Sequence, residues 1–210
     1  MQHVREWAHN NKLTLNLTKT KELVFYKPGP YRSIPPTPIP GIEQVTSIKS
    51  LGITLTQRLS MDEHVNNILS IISQRFYLLN QLRRQGLPKS ALKVIFHSLI
   101  ISRILYALPA YSGFLSAANI SRLDASLRKA RRWGLTDTTL TIQELIDNTD
   151  DDLFNKVHIT NHPLHHLLPP PSAASQSSYD LRSRGHSLSL PTASNLFKKS
   201  FITRCLYKFI

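Results

Sequence analysis

Cysteine is nearly absent from this 210-residue chain, Cys205 being the only one. A single thiol excludes an intramolecular disulfide framework and any zinc module built on several cysteinates, and it suits a reducing compartment. Acid is also scarce, with 13 Asp and Glu against 26 Lys and Arg, and charged residues make up only 19% of the chain. The net charge of +13 points to a polyanionic partner, nucleic acid before an anionic membrane surface. Long apolar runs are missing except from Val94 to Leu115, and that run contains His97, Arg103 and Pro109. A central Arg costs about 2.5–3.5 kcal/mol on insertion scales, so the run is expected to be a buried helix of a soluble fold rather than a membrane span. The opening Met-Gln-His-Val-Arg-Glu-Trp has no basic segment followed by an apolar stretch, so an intracellular location, nuclear or cytoplasmic, is expected rather than secretion. Apolar residues are 41%, a little under the roughly 45–50% of an average globular chain, which is enough for a modest core in one large or two small domains.

The positive charge is unevenly placed. Residues 1–132 hold 19 Lys and Arg against 6 Asp and Glu, whereas residues 133–210 hold 7 of each. Asp137, Glu144, Asp147, Asp150, Asp151 and Asp152 follow one another with no basic residue between them, so a division falls near Gly134. Asp150-Asp151-Asp152, the one acidic run, has no flanking strand pattern and reads as a solvated acidic loop rather than a metal site. Pro169-Pro170-Pro171 and the serine-rich stretch to Ser178 form a low-complexity segment unable to pack.

Periodicity gives the elements. Val4, Trp7 and Ala8 mark a short amphipathic helix closed by Asn10-Asn11. Leu13, Leu15 and Leu17 alternate with polar residues and predict a strand, Glu22 to Tyr26 a second, and Ile48 to Leu55 another with Gly52 inside it; the prolines from Pro28 to Pro40 make the intervening stretch a loop. From Ser60 the period becomes helical. Ser60-Met-Asp-Glu63 fits a capping box, and Val65, Ile68, Ile72, Phe76 and Leu79 form one apolar face. Gly86-Leu87-Pro88 separates this helix from the next, with Pro88 at its first position, and a third helix from Ser116 turns Ile120, Leu123, Leu127 and Ala130 inward and stops at Gly134. Three such helices joined by short turns bury their faces against one another as a small bundle.

Several side chains could carry chemistry. Arg128, Lys129, Arg131 and Arg132 on the third helix, with Arg83 and Arg84 at the end of the first, concentrate basic charge and suit sequence-independent phosphate contact. The same cluster would also serve as a nuclear-localisation signal. His158, His162, His165 and His166 have the spacing of a metal cluster, but Pro163 breaks any helix that would align them, so no metal is expected. Tyr77 and Tyr111 are expected in the core. Asn16 is expected to bond backbone at a strand end, and Lys19 to be a solvated side chain in a turn.

Trp7-Ala-His-Asn-Asn-Lys-Leu-Thr-Leu-Asn16-Leu-Thr-Lys19-Thr20-Lys21-Glu22 resembles the fourth palm motif of reverse transcriptases from LINE-type, non-LTR retrotransposons. Ile48-Lys-Ser-Leu51-Gly52-Ile53 resembles the following hairpin that grips the primer, and the helices from Asp62 to Trp133 resemble the thumb. Asn161-His162-Pro163-Leu164-His165-His166-Leu167-Leu168-Pro169-Pro170 and Tyr179-Asp180-Leu181-Arg182-Ser183-Arg184 resemble the C-terminal tail of animal elements of this kind. The resemblance implies an α+β fold: a small antiparallel β element (a palm remnant, residues 1–57), a mainly α-helical thumb-like bundle (58–134), and an acidic linker with a largely irregular tail (135–210). It also implies a non-enzymatic fragment of an RNA-directed DNA polymerase. The family's metal-binding aspartates belong to a turn upstream of the Trp7 motif, so the magnesium ions of an intact polymerase are not expected to be held by this chain. The implied partner is an RNA–DNA hybrid or element RNA, bound without sequence preference, with no small-molecule substrate. Lys19 would lie near the leaving pyrophosphate, and Gly52 would let primer backbone approach. The contrasting expectation is a non-catalytic protein-interaction or structural module. Residues 64–113 also resemble an N-terminal segment assigned to AlkB-type tRNA-modifying oxygenases, although no His-x-Asp pair for their iron is present.

Overall fold

The computed structural model describes residues 1–25, 36–172 and 186–208. The Tyr179–Arg184 motif, most of the low-complexity segment and part of the proline-rich loop lie outside the described residues. The chain divides into two units, Met1–Ser60 and Met61–Ile210, and is a mixed α+β protein, 55% helical, with two small two-stranded sheets.

In the first unit, helix α1 (Gln2–Asn10) buries Ala8 and leaves Val4 and Trp7 exposed. Its end is a Schellman arrangement in which the Lys12 N–H bonds the His9 carbonyl and the Leu13 N–H bonds the Ala8 carbonyl. Lys12 takes the left-handed position that glycine usually fills, at φ 55°. The alternating leucines after it form no strand. Leu13 and Leu17 face solvent, and Asn16 turns the chain: its side-chain oxygen accepts the Lys19 N–H at 3.2 Å and the Thr18 hydroxyl at 2.6 Å. A local side-chain bond of this kind offers the backbone an alternative to a ladder, and here it prevails. Of the strand expected over Glu22 to Tyr26, whose last residue lies outside the described residues, the structure forms β1 (Lys21–Leu23). It pairs in parallel with β2 (Glu43–Val45), Lys21 facing Glu43 in register with an ion pair at 2.9 Å, so this part of the expected antiparallel element is parallel.

The run from Ile48 to Leu55 is a hairpin rather than one strand. β3 (Ser47–Ser50) and β4 (Ile53–Thr56) pair antiparallel across a two-residue loop, Leu51-Gly52. Both loop residues have positive φ, 46° and 85°, as the hairpin turn matching strand twist requires. Gly52 therefore makes a hairpin turn rather than lying inside a continuous strand. Leu51 beside it accepts a backbone region that costs a residue with a Cβ roughly 1–2 kcal/mol.

The second unit is helical. α2 (Asp62–Arg84) buries Val65, Ile68, Ile72, Phe76 and Leu79, the predicted face. Its N-cap is Met61 and no side chain caps it, so the expected box at Ser60–Glu63 does not form; the Ser60 N–H instead bonds the Thr56 hydroxyl at 2.9 Å. Pro88 is the N-cap of α3 (Lys89–Phe96) rather than its first residue. α3 runs through a π turn (His97–Ile101), where the Arg75 guanidinium donates to the Leu99 carbonyl, into α4 (Ser102–Leu105). Ala107, at φ 53°, breaks the run before α5 (Leu108–Tyr111). Leu92, Phe96, Ile100, Ile104, Leu108 and Tyr111 are buried, but Val94 is 66% and Tyr106 50% exposed. The run is thus an interrupted amphipathic helix, not a wholly buried one. By length and composition Lys89–Phe114 could cross a membrane, and 33% of its most apolar window is buried.

α6 (Ala117–Arg132) starts at Ser116, whose hydroxyl accepts the Asn119 N–H at 3.2 Å, and buries Leu123, Leu127 and Ala130. It lies parallel to α2. At one end the Asn119 amide donates to the Asp62 carboxylate at 2.8 Å and Arg122 to the Asn66 side-chain oxygen at 2.6 Å; at the other, Arg83 donates to the Trp133 carbonyl.

The chain beyond Gly134 is more regular than expected. α7 (Ile142–Val157) opens with a true capping box, Thr141 with Glu144, and Asp124 of α6 accepts the Ile142 N–H at 2.8 Å. α8 (Phe201–Lys208) packs on it, with Phe154, Leu188, Cys205 and Leu206 in a shared core. The acidic run is not a solvated loop. Asp150 is 3% exposed inside α7, and both its oxygens accept from Arg204, at 2.9 and 2.8 Å. The same guanidinium donates to the Pro109 and Lys199 carbonyls, so one side chain ties α5, α7 and the approach to α8 together. Lys208 bridges Asp147 and Asp151; its burial opposes the charge, but the two hydrogen-bonded carboxylates outweigh that and raise its pKa.

Replacing Asp150→Ala strands a largely buried guanidinium and should cost about 3 kcal/mol in urea unfolding, whereas the exposed Asp152→Ala should cost less than about 0.5 kcal/mol. Burial, with the Asp150 carboxylate adding to it, pushes the Cys205 thiol up to about 12. Iodoacetamide at pH 8 should therefore label the native chain at least about a thousandfold more slowly than an ordinary thiol, with the normal rate returning in denaturant.

Candidate nucleic-acid interface

Two helix ends meet at the site, and each is finished in the same way. At the end of α2 the Gly86 N–H bonds the Arg83 carbonyl and the Leu87 N–H the Leu82 carbonyl, with Gly86 at φ 88°. At the end of α6 the Gly134 N–H bonds the Arg131 carbonyl and the Leu135 N–H the Ala130 carbonyl, with Gly134 at φ 68° and Leu135 buried beneath. Both are Schellman caps, which hold the last turns and the basic side chains on them. Because α2 and α6 run parallel, the negative ends of their dipoles lie side by side, which favours cations there.

The six cations predicted from the sequence are brought to this end, but they do not share one environment. Lys129 is half-buried, its ammonium 4.7 Å from the Trp133 ring centroid and 5.3 Å from that of Phe76. Phe76 and Trp133 meet edge to face at 5.4 Å. Arg83 lies over the other part of this junction, its guanidinium 5.9 Å from the Trp133 centroid and bonded to the Trp133 carbonyl at 3.1 Å and the Asn80 side chain at 2.9 Å. These two cations join helix to helix. Arg84, Arg128, Arg131 and Arg132 are exposed, and among the described residues none is ion-paired with a carboxylate.

Arg128, Arg131 and Arg132 also border an open groove of about 730 Å³. Ala125 and Leu127 of α6 and Thr138, Thr139 and Leu140 of the following loop complete its lining. That loop is well tethered. The Thr136 hydroxyl accepts the Thr138 N–H at 3.3 Å, Lys93 pairs with Asp137, and Asp124 holds the start of α7. The groove was not legible in the sequence, since nothing in a run of threonines signals that a loop folds back along a helix. Trp133 was legible in part, four residues after Lys129 and at the helix stop.

Lys19 and Gly52 belong to the first unit. Lys19 is exposed in the Asn16 turn, its N–H held by Asn16, and Gly52 lies in the hairpin loop. Tyr77 is 63% exposed, contrary to the core position expected of it, because it follows the buried Phe76 on the outer side of α2. Tyr111 is buried, donates to the Ile104 carbonyl at 2.9 Å and has its pKa raised by burial, so it is a core residue.

Three of the four histidines have local partners: His158 bonds the Phe154 carbonyl, His165 the Val157 carbonyl, and His162 accepts the Leu164 N–H. Among the described residues no group of three or more His, Cys, Asp or Glu is arranged to hold a metal ion. The Asp150–Asp152 run does not fit the metal pair of a polymerase, since Arg204 occupies Asp150 and Lys208 holds Asp151. His64 lies buried edge to face with Tyr111 at 4.7 Å. No protein-family model, no curated protein and no solved structure matches the chain.

A double-mutant cycle of Lys129→Met and Trp133→Leu, read by thermal unfolding, should give a favourable coupling of about 0.5–1 kcal/mol; a coupling of zero would remove the cation–aromatic contact as the joint between the helices.

Proposed function

We propose that this chain is the end of the palm, the thumb and the tail of a LINE-type reverse transcriptase, and that it grips primer–template backbone without itself performing chemistry. The observation that carries the reading is the set Arg84, Arg128, Arg131 and Arg132, four exposed cations without carboxylate partners among the described residues, gathered at the paired ends of α2 and α6. Guanidinium groups match phosphate oxygens two at a time, and such contact fixes position on a duplex while carrying no sequence information. Fixed helix ends let the four act as one surface. Arg83, itself exposed, and the half-buried Lys129 support it by holding the two helices in place. The hairpin with Leu51-Gly52 at its tip supports the comparison with a primer grip, since Gly52 has no side chain to keep a backbone away. In this reading nucleotide transfer and its magnesium ions belong to an intact polymerase, and Lys19 serves only beside the catalytic carboxylates that such an enzyme supplies.

One feature favours the other expectation, a protein-docking module. Tyr77, Leu78, Val94 and Tyr106 are large apolar side chains left half or more exposed on the bundle. The two readings separate by salt. Phosphate contact releases counterions, so log K should fall against log salt by about 0.9 for each contact, whereas apolar docking holds or strengthens.

Titrating the full chain with a labelled RNA–DNA hybrid should give a slope of about −3.6, and the combined Arg84→Gln, Arg128→Gln, Arg131→Gln, Arg132→Gln variant should lose most of that slope and at least about a hundredfold in affinity at low salt. Hybrid binding that ignores salt, or that survives the four substitutions in a folded chain, would defeat the proposal.

A further inference from the structure

We infer that the groove between α6 and the 138–140 loop takes an unpaired stretch of nucleic acid, its phosphates on Arg128, Arg131 and Arg132 and its bases on the apolar floor. This rests on the nucleic-acid reading and says which form of nucleic acid the second unit holds there. A surface that met only duplex backbone would need cations and no cavity, because a double helix keeps its base faces stacked inside and presents phosphate and sugar. Here the cations border a groove of about 730 Å³, within the roughly 300–1,000 Å³ typical of small-molecule sites. Its floor is Ala125, Leu127 and Leu140. A duplex backbone would leave that floor empty, whereas an unstacked base brings an apolar face to cover it.

The remaining lining fits the same occupant. The exposed Thr139 carries a hydroxyl that can both donate and accept, as base edges and ribose require, and the Thr138 hydroxyl, bonded to that of Thr136 at 3.0 Å, keeps part of its capacity. Arginine suits the rim better than lysine would, since its planar guanidinium stacks on a base as readily as it forks onto a phosphate. An acidic peptide would also meet the arginines, but its carboxylates would leave the apolar lining of Ala125, Leu127 and Leu140 uncovered, whereas a single strand brings apolar base faces together with its phosphates. The wall is preset: the Schellman cap at Gly134, the Thr136–Thr138 bond and the Asp124–Ile142 bond fix the loop against α6, so little ordering is left for binding.

Fluorescence anisotropy on the full chain tests this with four probes of matched length, about 12 nucleotides: oligothymidylate, its abasic counterpart, an RNA–DNA hybrid, and a glutamate-rich peptide. Oligothymidylate should bind about tenfold tighter than the abasic strand, which keeps every phosphate and lacks the bases. Ala125→Glu, at an exposed position of α6 where glutamate is a good helix former, should lower oligothymidylate affinity by about tenfold with the circular dichroism spectrum unchanged. Equal binding of the abasic and intact strands by the wild-type chain would overturn the groove proposal even if Ala125→Glu failed to fold. A salt-sensitive hybrid affinity would in that case leave the backbone-grip reading standing. Failure of every nucleic-acid probe would overturn both, and preferential binding of the glutamate-rich peptide would reassign the groove to an acidic protein segment.

Discussion

Crowding of like charge at one end of two parallel helices is the constraint around which the second unit is built. Arg83, Arg84, Arg128, Lys129, Arg131 and Arg132 gather where repulsion opposes packing, and among the described residues no carboxylate is ion-paired with them. Three features offset the cost. The carbonyl ends of α2 and α6 face the cations, the Phe76 and Trp133 rings receive Lys129 and Arg83 on their faces, and the Trp133 carbonyl accepts from Arg83. The opposite ends are joined by hydrogen bonds, Asp62 with Asn119 and Asn66 with Arg122. The exposed arginines at the crowded end remain available to an anion.

The C-terminal segment shows the contrary use of charge. There the acid is consumed internally. Asp150 and Arg204 satisfy each other almost out of water, and the guanidinium spends its other donors on two backbone carbonyls, which leaves little charge for an outside partner. Gly113 shows how close that approach is: a Cβ there would collide with the Lys199 carbonyl and the Arg204 side chain. Acidic residues in this protein thus build the fold, and surplus basic residues at the α2–α6 end make the surface.

Much of this was legible in the sequence, and the failures have physical reasons. The faces of α2 and α6, their glycine stops and the basic cluster follow from a 3.6-residue period and from glycine's freedom at positive φ, both local properties. The Leu13–Leu17 alternation misled because a period of two says which residues could share a face and not whether a partner strand exists; Asn16 supplied a competing turn. α7 was missed although Ile142, Leu145, Ile146, Phe154 and Val157 have helical spacing. The acidic residues among them looked solvated because Arg204, the partner of Asp150, lies 54 residues further on. The Leu51-Gly52 turn required knowing that Leu51 would accept a left-handed backbone. The groove is tertiary, depending on a loop returning along a helix, and no spacing announces it.

Hydrogen exchange of the full chain, with and without an RNA–DNA hybrid at low salt, tests the central claim most directly. The account predicts slowed exchange at the ends of α2 and α6 and in the loop that follows, residues 80–87 and 125–141, with the Asp150–Arg204 region unchanged. Protection confined to other residues, or none in a chain that binds the hybrid, would contradict it.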